Sequence, residues 1–353
     1  MVSVLISNHE ITRNHTKKSK KEMKTLVTGA TGFVGRAVVE KLATEGLEGA
    51  GGVELYTCGA RERSELPNYF SVDISSRESV KDLFAQIDKL DAVIHSAGLA
   101  HQFQAPKDAG AFDRINVEGT RNVAEMAAAA GCRKFVLISS ISVYGDGKPN
   151  PCGEDAECKP VGAYAVSKYA AEKAAGEICE KHGIELVILR LATVYGNGDV
   201  GNVLRLIKLI DSGRFFWTGK GDNCKSLIHN SDAARACALV LKKELKGVPF
   251  DNVYNVTDTP HSMREIVETI AAGLGRKIPS FSLPPGLIMG ALKTVGVFPV
   301  IGRRARGLVQ TLKKWQSDDV LSGEKARSEL GFYPETDLSE GIKNEIRWHR
   351  NIK

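Results

Sequence analysis

From Lys24 onward the chain alternates short apolar runs with longer amphipathic ones. The runs are KTLVTG, VELYT from Val53, Phe70–Val72, DAVIH at Asp91–His95, KFVLIS at Lys134–Ser139 and ELVILRL at Glu185–Leu191. Each is apolar at odd and even positions alike, as a strand covered on both faces must be; a half-exposed strand would alternate with a period of two. Alanine-rich helical stretches lie between them, the first from Phe33 to about Ala43. Strand followed by helix followed by strand predicts βαβ units, and so an α/β fold built on a doubly wound parallel sheet. Ligands of such sheets lie beyond the carboxyl ends of the strands, so chemistry is expected directly after each apolar run.

The first run bears this out as a pattern. In TLVTGATGFVGRAVVEKL a strand leads straight into Gly29-x-x-Gly32-x-x-Gly35 and then into a helix. Glycines permit the tight turn and let the backbone approach a pyrophosphate, which would sit on the helix's first amides. The expectation is a Rossmann-type dinucleotide site with Gly29, Thr31, Gly32, Phe33, Val34 and Gly35 around the phosphates. Sites that prefer NAD place an acidic residue at the end of the second strand, on the ribose hydroxyls. Here the first charge after that strand is Arg61, and an arginine favours a 2′-phosphate. The expected cofactor is NAD or NADP, with a slight lean to NADP; a solvated loop charge is the other reading of Arg61. Asp73 and Ile74 are placed to face adenine, and Ala97 and Gly98 supply small residues after the fourth strand. Asn116, polar within an apolar helical stretch, either bonds locally or supports the site from the cofactor side.

After Leu191 the rhythm breaks into Gly-rich, Pro-rich and amphipathic pieces. A smaller interleaved C-terminal region, closing over the sheet to bind substrate, is therefore expected. The division reads as a dinucleotide-binding domain over 23–190, with 227–262 returning to it, and a substrate-binding region of 191–226 and 263–353. Residues 1–22 hold Arg13, Lys17, Lys18, Lys20 and Lys21 against Glu10 and Glu22, so this stretch supplies +3 of the net charge of +6. It reads as a disordered basic extension without the apolar core of a secretory signal. What remains is only mildly basic and lacks a basic stripe interleaved with aromatics, so nucleic acid is not an expected partner. The seven cysteines are odd in number and lack paired C-x-x-C spacing; a reduced, cytoplasmic protein without a metal site is expected.

Twenty residues after Tyr144 of FVLISSISVYG comes GAYAVSKYAAEKAA, where Tyr164 and Lys168 stand four apart on a predicted helix and so share a face. An ammonium near a phenol stabilises the phenolate, as would an oxidised nicotinamide, and Tyr164 could then exchange a proton with a hydroxyl or ketone. A serine from the neighbouring strand end would hold the same oxygen.

These residues resemble the extended short-chain dehydrogenases/reductases, and among them the nucleotide-sugar epimerase/dehydratase family. TGATGFVG, NVEGT, SSISVYG, YAVSK and LRLATVYGNG match in order and spacing, and the resemblance spans Met23 to about Arg350. It implies that Ser140, four before the tyrosine of VYG, is the catalytic serine beside Tyr164 and Lys168, and that Ser142 faces substrate. Family dehydratases carry Asp-Glu where this chain has Ile141 and Ser142, which disfavours dehydration. The resemblance further implies substrate contacts at Thr193, Asn202 and Lys225, although relatives often have an arginine at the last. KIPSFSLPPGLIMGALKTVGVF, followed by Gly302-Arg303-Arg304-Ala305-Arg306, looks like the polysaccharide-locus members, including epimerases of polyprenyl-diphosphate-linked N-acetylhexosamine. The stretch from Leu283 to Gly302 holds three prolines and Lys293, too interrupted for a spanning helix. It reads as a peripheral membrane contact or, alternatively, an oligomer interface or lid; a homodimer is expected from the resemblance.

The implied reaction is a nucleotide-sugar 4-epimerisation of the UDP-glucose or UDP-N-acetylhexosamine type, by transient C4 oxidation and re-reduction. Three alternatives stay open: an NAD(P)H-dependent 4-keto-sugar reductase, a polyprenyl-diphosphate-linked N-acetylhexosamine 4-epimerase, and a non-catalytic dinucleotide-binding scaffold.

Overall fold

The computed structural model describes residues 22–46, 52–100, 108, 110–245, 247–248, 250–283 and 316–351. The expectations for residues 1–21, for the apolar stretch beyond Leu283 and for the basic cluster at 303–306 lie outside the described residues.

The apolar runs form one sheet. Its strands are β1 (Met23–Thr28), β2 (Val53–Gly59), β3 (Tyr69–Ser71), β4 (Ala92–His95), β5 (Lys134–Ser140), β6 (Glu185–Leu191) and, far later in the chain, Val253–Val256. Among the described residues they pair entirely in parallel, with β3 at one edge, then β2, β1, β4, β5 and β6, and Val253–Val256 at the other edge. The order reverses between β1 and β4, the switch point at which doubly wound sheets open a crevice.

Apolar residues at both parities are explained by the two layers they enter. Val27, Ile94, Val136 and Leu189 pack on one face against Val38 and Leu42 of α1 (Phe33–Glu45) and Ala233 and Val240 of a later helix, Asn230–Lys242. Their neighbours Leu26, Val93, Phe135 and Ile188 pack on the other face with Leu83 of α2 (Arg77–Ala85), Val123 of α3 (Gly119–Ala129) and Ala175 of α4 (Ala163–His182). A side chain such as Leu42, only 2% exposed, contributes about 1.5–3 kcal/mol when buried in this way.

Past β6 the chain leaves the sheet through β7 (Thr193–Tyr195), α5 (Asn202–Asp211), β8 (Trp217–Thr218), β9 (Cys224–Lys225) and β10 (Leu227–His229). It returns through α6, the Asn230–Lys242 helix, to β11, the Val253–Val256 strand. β12 (His261–Ser262), α7 (Met263–Leu274), β13 (Ser282–Leu283) and α8 (Leu338–Asn351) complete the second region. Its core gathers Val203, Ile207, Trp217, Ile266, Ile270, Ile342 and Ile346. Among the described residues no helix is long and apolar enough to cross a membrane.

Candidate active site

The turn after β1 folds on itself because two of its residues lack a Cβ. Gly29 has φ +65°, and a Cβ there would stand 2.6 Å from Ala97, beyond β4. A Cβ on Gly35 would lie 2.2 Å from the Gly29 carbonyl oxygen. Gly32 caps α1 without a side-chain acceptor, and no acidic residue stands in the helix's first turn. The hydroxyls of Ser76 and Ser262 do cap α2 and α7. The contrast is chemical: the first turn of α1, at Phe33, Val34 and Gly35, keeps the positive end of its dipole uncompensated by any side chain, which suits a diphosphate. The residues present therefore fit a dinucleotide.

Beside this cradle β2 ends at Gly59, where a Cβ would stand 2.8 Å from Thr31 Oγ1 and 3.2 Å from the Tyr69 hydroxyl. Tyr69 donates to the Arg61 carbonyl oxygen at 2.7 Å, while the Arg61 residue is exposed. It is thus the backbone of Arg61, not its charge, that this wall ties down. Asp73 is exposed and its Oδ1 accepts from the amide and hydroxyl of Ser75 at 2.9 and 2.7 Å. Ile74 is buried against Gly119. Ala97 donates its amide to Thr28 Oγ1 at 3.2 Å, and Gly98 lies against Asn116. Asn116, read as bonding locally or supporting the site from the cofactor side, bonds to protein: its Oδ1 accepts from Leu99 N at 2.6 Å, and its Nδ2 donates to Leu99 O at 3.1 Å and Ser167 Oγ at 2.9 Å. It ties the loop after β4 to α4.

Ser140 closes β5, and its Oγ accepts from Ser142 N at 3.2 Å. Tyr164 and Lys168 sit one turn apart on α4, and the Tyr164 ring meets Phe112 edge-on with centroids 6.1 Å apart. Burial raises the Tyr164 phenol above its usual pKa, and a hydrogen bond with Ser140 opposes the rise. Lys168 donates from Nζ to the Ile138 carbonyl at 2.6 Å. Burial pushes its pKa down to about 8, against the attraction of Glu172. In the protein alone, burial of the ring is the larger influence on the phenol, and the Lys168 ammonium donates to a carbonyl. His95, enclosed by Thr28 Oγ1 at 2.8 Å and Thr120 Oγ1 at 3.0 Å, is held neutral by burial and by the Lys168 charge, with a pKa of about 3.

One further turn along α4, Glu172 is fully buried and forms a two-pronged pair with Arg190 of β6, Nε to Oε1 at 3.1 Å and Nη2 to Oε2 at 2.7 Å. Ser139 also donates to it, and the Arg190 guanidinium lies 4.8 Å from the centre of the Tyr144 ring. The sequence reading missed this pair, although the recurrence Tyr164, Lys168, Glu172 at four-residue intervals was a signal for it.

On the substrate side Ser142 Oγ is buried without a hydrogen-bond partner among the described residues. Thr193 opens β7, which pairs with β10, and Asn202 is an exposed residue at the start of α5. Lys225 of β9 donates from Nζ to the Ser317 carbonyl at 2.6 Å. Ser140, Ser142, Tyr164 and Lys168 are thus gathered at the end of β5 and on α4, while Asn202 and Lys225 stand on elements of the second region.

The profile of the NAD dependent epimerase/dehydratase family matches residues 25–257. The chain belongs to that family. It is an NAD-dependent enzyme of the extended short-chain dehydrogenase/reductase type, and the lean toward NADP drawn from Arg61 gains no support. The N-acetyl-alpha-D-glucosaminyl-diphospho-ditrans,octacis-undecaprenol 4-epimerase of Escherichia coli O157:H7 is 28% identical over 92% of this chain and 94% of its own length. The UDP-glucose 4-epimerase of Mycolicibacterium smegmatis is also 28% identical, over 93% and 99%. The UDP-glucose 4-epimerase of Thermus thermophilus, solved with NAD, shares the fold with a TM-score of 0.70 at 23% identity, covering 94% of this chain and 100% of that one.

Proposed function

We propose that this enzyme is a 4-epimerase of a diphosphate-linked hexose or N-acetylhexosamine. The observation that carries the reading is the convergence of Ser140, Tyr164 and Lys168 beside a glycine cradle shaped for a dinucleotide. Bound NAD supplies the hydride acceptor, and then donor, at the sugar's C4. Tyr164 takes the proton of the C4 hydroxyl as the carbonyl forms and gives it back when the hydroxyl is restored on the other face. Ser140, already hydrogen-bonded to Tyr164, holds the same oxygen, and Lys168 contributes positive charge behind the phenol. Ile141 and Ser142 carry neither an acid nor a base, so elimination of water from C5 and C6 has no agent at those positions.

Likeness to 4-epimerases of both a polyprenyl-diphosphate-linked and a UDP-linked sugar supports the reaction more than the carrier. A 4-keto-sugar reductase would employ the same three residues once and consume the dinucleotide. The purified enzyme should retain NAD and interconvert UDP-glucose and UDP-galactose, or the N-acetylated pair, without added nicotinamide. Conversion of a 4-keto sugar with one-for-one loss of NADH or NADPH absorbance would replace epimerisation by reduction.

A further inference from the structure

The loop between β7 and α5 is closed from behind by two acidic side chains. Asp199 is 2% exposed; its Oδ1 accepts from Gly201 N at 2.6 Å and its Oδ2 from Leu204 N at 3.1 Å, so it caps α5. Its own amide donates to Gly196 O at 3.0 Å. Glu345 of α8 is fully buried, and its Oε2 accepts from Gly196 N at 3.0 Å. Its Oε1 is buried with no hydrogen-bond donor among the described residues, yet the Glu345 and Asp199 carboxyls lie within hydrogen-bonding range. α8 comes this close because Gly341 offers no Cβ, which would stand 2.7 Å from the Tyr195 hydroxyl.

Two buried carboxyls in contact cannot both be ionised, and both oxygens of Asp199 already serve as acceptors of amides. A proton on Glu345 Oε1, donated to Asp199, satisfies the remaining atom. We propose that Glu345 is a positioning residue: through one proton shared with Asp199 it fixes the 196–201 loop and the first turn of α5, and so the Asn202 that begins that helix, against the sugar diphosphate. The inference rests on the sugar-diphosphate reading only for what the loop contacts.

Burial, followed by the charge of Asp199, raises Glu345 to about 9, and burial raises Asp199 as well. Tyr195 comes from β7, His229 from β10 and Asp232 from α6, and burial holds His229 below its usual pKa. Arg205 of α5 feels Asp199 from a more open position, His349 lies buried one turn along α8, and α7 turns its apolar face to α8.

The test compares wild type with Glu345→Gln and Glu345→Ala, using UDP-glucose and UDP-N-acetylglucosamine turnover across pH 6–10. In wild type KM should rise above pH about 9, by up to about tenfold per pH unit as the shared proton is lost, on top of a decline in kcat through about 8 that belongs to Lys168 and is common to all three enzymes. Glu345→Gln keeps a donor that does not titrate, so its KM should stay within about twofold of wild type at pH 7 and lose the alkaline rise. Glu345→Ala should raise KM at every pH, and hydrogen exchange at pH 7 should show lost protection confined to peptides covering 196–204. Thermal unfolding of each variant identifies any that fails to fold, and the near-isosteric Gln variant then decides. An alkaline rise in KM that persists unchanged in Glu345→Gln overturns the proposal. So does a Glu345→Ala enzyme with unaltered exchange at 196–204. If neither sugar is turned over, the UDP-linked form of the functional reading fails while the exchange measurement still decides the role of Glu345.

Discussion

Replacing Arg190 by Met tests whether the pair behind Lys168 is as dry as its geometry implies. Glu172 is fully buried and Arg190 is 4% exposed, and two hydrogen bonds of 3.1 and 2.7 Å join them. The substitution leaves Glu172 with the Ser139 hydroxyl and removes the cation from the Tyr144 ring. Breaking a buried pair of this kind by removing one partner costs about 3–5 kcal/mol, well beyond the ~0–1 kcal/mol of an exposed pair. For a chain of 353 residues, with an unfolding entropy of about 2.1 cal/mol/K per residue, that corresponds to a fall in Tm of roughly 4–7 °C. Scanning calorimetry of Arg190→Met, Glu172→Met and the double variant closes the cycle. The double variant should be more stable than Arg190→Met, because no charge is stranded. A cost below about 1 kcal/mol for Arg190→Met, or strict additivity in the double variant, would refute the reasoning by showing that water reaches the site or that the two charges do not interact.

Tyr164→Phe should lower turnover by about 10²–10⁴-fold, the range of general acid–base catalysis, while NAD still binds, as measured by calorimetric titration. Gly35→Ala should abolish NAD binding, since its Cβ would stand 2.2 Å from the Gly29 carbonyl; undiminished affinity would show that the turn does not carry the phosphates. Because the folded Lys168 is lowered to about 8, its ammonium is present below that pH and lost above it, so kcat should decline as pH rises through about 8. Glu172 favours the charged form of Lys168, so Glu172→Gln should move this decline to lower pH, and an unmoved profile in stopped assays would separate the two groups.

The sheet was legible because strands buried on both faces must be apolar at both parities, a constraint that few other structures share. The glycine cradle was legible because its turn needs residues without a Cβ at fixed spacing, and the Tyr164–Lys168 pair because a helix makes four-residue spacing a spatial statement. What escaped depends on long-range meetings. Asp199 and Glu345 come together from elements 146 positions apart, with Glu345 and Gly196 joined across 149 residues, and neither residue announces the other. The hydrogen bond that Lys225 donates to the Ser317 carbonyl, 92 residues on, had no signal in the sequence. Asn116 could be narrowed to two roles, but its partners Leu99 and Ser167 were not legible.

The strand β11 at the sheet's edge is supplied after the chain has already made β7, α5 and the short strands of the second region. The parallel sheet and the substrate side are therefore laced together twice rather than joined end to end. A chain cut after β6 would expose that strand's entire pairing edge, so the first 191 residues are not a module that a designer could lift out. Exchanging substrate preference by grafting would have to carry α6 and β11 with the graft or leave them wholly in place. The same lacing sets a schedule for synthesis: the sheet cannot be completed at the ribosome until at least 256 residues have emerged, so the two regions mature together.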